Sequence, residues 1–92
     1  MNIPQITSID NALKIYYNYS EIGNKEIKSL FGKLSSATVS RLKRAVKDKM
    51  NEADIPSYGM HKINTILAFD TWGINVFDLE SRWKKINELN LV

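Results

Sequence analysis

Ninety-two residues, 43% of them hydrophobic and 25% charged, suffice for one folded domain with a modest core, and the formal net charge is +3. The absence of cysteine excludes disulfide scaffolds, thiolate zinc sites and cysteine nucleophiles. The longest apolar run, Ile66–Phe69, is far short of a membrane span, and Met1–Gln5 has neither the charged nor the apolar region of a secretory signal. The expectation is therefore a cytoplasmic domain with no membrane contact.

Pro4 precedes the first periodic segment, where Thr7 or Ser8 reads as an N-cap and Ile9, Ala12, Leu13 and Tyr16 share a helical face. Tyr16, Tyr17 and Tyr19 cannot all turn inward from one helix, so at least one is expected at the surface. Asn24 can cap a short second helix carrying Ile27, Leu30 and Phe31, which Gly32 ends. Ser35 or Ser36 caps a third helix with Val39, Leu42, Val46 and Met50 inward. It should fade by Asp54, because Pro56 disfavours helix at Ile55.

Ser57-Tyr58-Gly59 is a turn signal, with room for a short extended piece over Met60–Ile63. Asn64 or a near neighbour starts a fourth helix with Leu67 or Ala68, Phe69 and Trp72 inward, Gly73 as its C′ residue and Ile74 making the hydrophobic contact. Asn75 or Asp78 caps a fifth helix on which Leu79, Trp83 and Ile86 face inward and Leu89 continues the stripe. Alternating strand patterns are nearly absent. The fold class is all-α: one domain over 1–92, a compact bundle of about five helices with a helix-turn-helix over 24–50 and a C-terminal helical hairpin over 64–90.

Charge is unevenly spread. Residues 24–50 hold eight basic and two acidic side chains, +6, while the remainder holds five basic and eight acidic, −3, which together give +3. Clustered Lys and Arg are the electrostatic footprint of a polyanion-binding surface, although a solvated helix face has the same composition. Two of the three arginines, Arg41 and Arg44, lie in this segment, and their planar forks can bridge a guanine edge or a phosphate.

The run Ile27–Leu42 reads as a short helix ending in glycine, a tight turn burying Leu34, and a serine-capped helix with Val39 and Leu42 facing back. Its part Leu34-Ser35-Ser36-Ala37-Thr38-Val39-Ser40-Arg41-Leu42 resembles the "glycine, aliphatic, S-x-x-T-V-S-R-L" stretch of winged helix-turn-helix transcription regulators, the MarR-type group among them. The resemblance implies double-stranded DNA as partner, Ser36, Ala37, Ser40, Arg41 and Arg44 as base or phosphate contacts, and Val39 and Leu42 as packing positions.

Spacing along the same helix adds Lys43 and Lys47 to its outer face, and Lys33 and Ser35 flank its start. The candidate DNA-binding residues are therefore Lys33, Ser35, Ser36, Ala37, Ser40, Arg41, Lys43, Arg44 and Lys47. No glycine-turned strands announce a wing over 55–63. Small size and Ile/Lys/Asn-rich usage suggest a transcriptional regulator or an accessory factor of a phage or mobile element. The competing reading is an all-helical protein–protein interaction module, a phage assembly or adaptor subunit, whose basic helix meets an acidic protein surface.

A fainter echo of the unit runs from Ala68 to Leu79, but Asp70, Asp78 and Glu80 lie on its outer side, which points to packing or partner binding. Trp72 and Trp83 read as core anchors of the C-terminal helix pair, the lesser reading being an interface hot spot. The fifth helix could also pair with a second copy in a homodimer. His61, the single histidine, has no cysteine or carboxylate at ligand spacing, so no metal or other cofactor is expected. With no glycine-framed nucleophile, carboxylate dyad, phosphate-binding glycine loop or dinucleotide fingerprint, an enzyme is not expected.

Overall fold

The computed structural model describes residues 2–90; the outermost positions of the expected domain, 1, 91 and 92, lie outside the described residues. Five helices and two very short strands follow in the order α1 (Ile9–Asn18), β1 (Glu21–Ile22), α2 (Asn24–Phe31), α3 (Ser36–Glu52), β2 (Ile63–Asn64), α4 (Thr65–Thr71) and α5 (Val76–Asn90). The fold is thus mostly helical. In the antiparallel pair of β1 and β2, with Glu21 opposite Asn64 and Ile22 opposite Ile63, β2 overlaps the end of the short extended piece expected over Met60–Ile63, while β1 is an addition to the all-helix expectation. Two residues are too few to show an alternating pattern, so a bridge this short leaves no periodic trace in the sequence.

Local chemistry accounts for most boundaries. Ser8 caps α1 by accepting from the Asn11 N–H, and Asn64 caps α4 by accepting from the Leu67 N–H at 2.9 Å. Asn75 does the same for the Asp78 N–H at the start of α5. Helix α2 begins one position earlier than its cap suggested: Gly23 is the N-cap, and the Glu26 carboxylate reaches back to the Gly23 N–H at 2.8 Å. Asn24 is then the first helical residue and its side chain is released for another partner.

Helix α4 closes in a full Schellman motif. Gly73 has φ +72, its N–H bonds the Asp70 carbonyl, and the Ile74 N–H bonds the Phe69 carbonyl. Helix α3 ends the same way but on a non-glycine: Asp54 has φ +55, and the Ile55 N–H bonds the Met50 carbonyl at 2.8 Å. Asp54, two residues before the proline, makes the stop.

The core joins every element. Ala12 and Ile15 of α1, Ile22 and Ile63 of the strand pair, Ile27, Leu30 and Phe31 of α2, and Val39, Leu42, Val46 and Met50 of α3 are buried together with Ala68, Phe69 and Trp72. The expected inner stripe of α3 is therefore the observed one. From α5 only Leu79 is buried, and Trp83 is 42% exposed, which corrects its expected role as a core anchor. Ile86 and Leu89 are exposed as well, so the expected inward stripe stops after one residue. Each α5 position beyond Glu80 is exposed, Asn87 being partly so, and Asn90's side chain lies outside the description.

Candidate nucleic-acid interface

Helix α3 is the longest in the fold at 17 residues. One side is sealed by Val39, Leu42, Val46 and Met50. Leu42 also offers its backbone carbonyl to the indole N–H of Trp72, at 3.2 Å. The same indole meets the Phe31 ring edge-on, with centroids 5.4 Å apart. Trp72 thus touches both α2 and α3 and fixes one against the other.

The start of α3 is built by Ser35, whose Oγ accepts from the Thr38 N–H at 3.1 Å and lies 2.9 Å from the Thr38 hydroxyl. Of the two serines weighed as cap, Ser35 serves. It is exposed, but its hydroxyl already has partners within the chain. The first-turn N–H groups of Ser36 and Ala37 keep no intrahelical partner, as at every helix start.

Eight of the nine candidate residues reach the surface: Lys33, Ser35, Ser36, Ala37, Ser40, Arg41, Arg44 and Lys47 are all exposed. Among the described residues the ion pairs are Lys14–Asp10 and Arg82–Asp78, so Arg41, Arg44 and Lys47 carry their charge without an acidic partner. Asp48 and Glu52, both exposed, follow on the same helix with exposed Lys49 between them, so charge of both signs mixes beyond Lys47.

Lys43 departs from the expected face. It is only 9% exposed, and its ammonium donates to Asn24 Oδ1 at 3.0 Å and to the His61 carbonyl at 2.5 Å. Lysine looks like a solvent-facing residue in any helical pattern, and its partners lie 19 and 18 residues away, where no local pattern reveals them. The side chain ties α3 to the start of α2 and to the loop before β2.

Burial lowers the Lys43 pKa from the ordinary 10.5, and the nearby Lys47 charge lowers it further. The folded protein then releases this proton at lower pH than the unfolded chain does. Between the two pKa values the unfolded state binds more protons, so this residue's contribution to stability rises with pH. Lys43→Met should lose about 1 kcal/mol at neutral pH through the two unpaired acceptors. Relative to it, wild type should gain stability as pH climbs toward 10.5 and run parallel below that window. Urea melts across the alkaline range measure this, and parallel curves throughout would mean the ammonium is solvated.

Two cations outside the candidate set share the surface. Lys25 and Lys28 of α2 are exposed and, with Ser29, Lys33 and Ser35, line a groove beside the α2–α3 turn. Both lysines belong to the basic segment 24–50, and neither is among the candidate DNA-binding residues.

The loop over 56–62, where no wing was evident, is held by side chains. The Glu21 carboxylate accepts from the Tyr58 N–H at 3.0 Å and the Gly59 N–H at 2.8 Å, and the Ser57 hydroxyl donates to the Lys62 carbonyl. Among the described residues no three His, Asp or Glu side chains gather in a way that could hold a metal ion. No helix among them is long and apolar enough to cross a membrane. No protein-family model, curated protein or solved structure matches the chain.

Proposed function

We propose that the protein binds duplex DNA through the exposed face of α3 from Ser36 to Lys47, as a small transcriptional regulator or mobile-element accessory factor. The observation that carries the reading is the set Arg41, Arg44 and Lys47, unneutralised on a helix whose opposite side is locked into the core. The small residues Ser36, Ala37 and Ser40 leave the helix tip slim enough for a major groove about 12 Å wide. Free N–H groups at that tip and the positive end of the helix dipole suit a phosphate. Two helices joined by the four-residue turn 32–35 are what a helix-turn-helix reader uses, with Lys25, Lys28 and Lys33 available to the backbone beside it.

The test is a salt titration of binding to a mixed-sequence duplex followed by fluorescence anisotropy. The logarithm of the association constant should fall with the logarithm of salt, with a slope of roughly −0.9 per phosphate neutralised. Arg44→Ala and Lys47→Ala should each flatten that slope by about 0.9 and leave the thermal melt unchanged. A salt-independent association, or no binding near ~50 mM salt, would transfer the basic face to an acidic protein surface and favour the interaction-module reading.

A further inference from the structure

We infer that the protein forms a two-fold dimer in which the outer half of α5 packs against the same segment of a second copy. Helix α5 has 15 residues, but among its described side chains only Leu79 is buried, so its last two to three turns run along the surface with at most partial cover from their own chain. That stretch carries Trp83 at 42% exposure, Ile86 at 48% and Leu89 at 75%, three residues apart and therefore in one strip. Tyr17 of α1 widens the strip: it is 63% exposed and its hydroxyl is bonded to the Glu80 carboxylate. Helix segments that run free in solvent are normally polar, and one bearing three large apolar side chains in a row marks a contact surface.

Charge and spacing argue for a second copy as the occupant. The ionisable groups of α5 are Asp78, Glu80 and Glu88 against Arg82, Lys84 and Lys85, an even balance. Two such segments meet with less like-charge repulsion than two α3 faces would suffer, since from Glu80 onward Glu80 and Glu88 stand against Arg82, Lys84 and Lys85. Trp83 and Leu89 also stand at equal distances in sequence from Ile86. Two antiparallel helices crossing at Ile86 therefore seat Trp83 of one copy on Leu89 of the other, and the two-fold axis repeats the contact, as an isologous interface requires.

The four side chains and their flanks offer roughly half of the ~800 Å² per partner found in standard stable interfaces. That area fits a dimer held at about 1–100 µM, not a permanent one. The dimer rests on α5 and α1 alone and does not depend on what α3 binds.

Sedimentation equilibrium of the full chain without DNA, from about 5 µM to about 500 µM, covers that range. The average mass should climb from 10.6 kDa toward twice that value and level off. The double substitution Ile86→Glu and Leu89→Glu, at exposed positions the fold does not use, should keep the helical circular dichroism and stay monomeric throughout. Phe77→Ser, which removes an exposed ring from the other end of α5, should dimerise as wild type does. A wild-type mass fixed at 10.6 kDa, a mass that grows beyond the dimer, or a glutamate variant that still dimerises would each overturn the inference.

Discussion

Trp72→Ala should lower the unfolding free energy by about 3–5 kcal/mol, the range for truncating a buried indole. A domain of this size has only about 5–14 kcal/mol in total, so the variant stands near the limit of folding. The residue is 4% exposed, and three contacts are lost together: its packing in the core, the edge-on contact with Phe31, and the indole N–H bond to the Leu42 carbonyl. At about 4–8 °C per kcal/mol for a domain of this length, the melting temperature should drop by roughly 12–40 °C.

Trp72→Phe separates the parts. It keeps most of the apolar volume and an aromatic partner for Phe31 but gives up the hydrogen bond, so about 1–2 kcal/mol should be lost. Circular dichroism melts of the two variants measure both values. A loss under about 1 kcal/mol for the alanine variant would be incompatible with a tryptophan buried between α2 and α3. Trp83→Ala supplies the contrast: 42% exposed and without a bond from its indole N–H among the described residues, it should cost clearly less.

The two tryptophans also mark where sequence reading ends. Their spacing suggested equal roles, because a helical pattern reports which side chains share a face but not how far the neighbouring helix extends to cover them. The inner stripe of α3 was legible for the converse reason: Val39, Leu42, Val46 and Met50 repeat at helical spacing, and the burial follows that spacing. Ser8, Asn64 and Asn75 were legible as cap candidates, Ser8 beside Thr7 and Asn75 beside Asp78, because the N-cap bond is local, spanning three residues. The glycine stops at Gly32 and Gly73 were legible because a positive φ excludes most other residues.

Contacts between distant residues left no such mark. Lys43 turns inward to Asn24 and the His61 carbonyl, Glu21 grips the backbone of Tyr58 and Gly59, and Asp54 takes a conformation usually given to glycine. The candidate interface was legible to the same degree as its helix. Six of its nine residues follow the helical period to the surface, Lys33 and Ser35 stand exposed just before the helix, and Lys43 obeys a partner on another element.

Gly32→Ala should cost about 2–3 kcal/mol, more than its single added carbon suggests. Gly32 has φ +87 and ψ −150, a region that side-chain-bearing residues scarcely enter. A Cβ there would also stand 3.1 Å from the Thr7 methyl. Thr7 has little room to retreat, since its N–H bonds the Leu30 carbonyl at 3.0 Å and its hydroxyl lies 3.3 Å from the same oxygen. The double variant Thr7→Ala, Gly32→Ala weighs backbone strain against crowding. If strain dominates, Thr7→Ala should restore under about 1 kcal/mol in the cycle; a larger recovery would assign the cost to the methyl contact.

Gly73→Ala is the internal reference. Its φ is +72 but nothing lies within 4 Å of the added carbon, so only the left-handed penalty of about 1–2 kcal/mol applies. The functional consequence separates the two glycines further. Gly32 begins the turn that sets where α3 starts relative to α2, whereas Gly73 turns the chain into α5. At a temperature where both variants remain folded, Gly32→Ala should weaken duplex binding about tenfold or more, equivalent to at least ~1.4 kcal/mol, while Gly73→Ala should bind as wild type does. Equal binding by the two folded variants would mean that the aim of α3 does not depend on the turn.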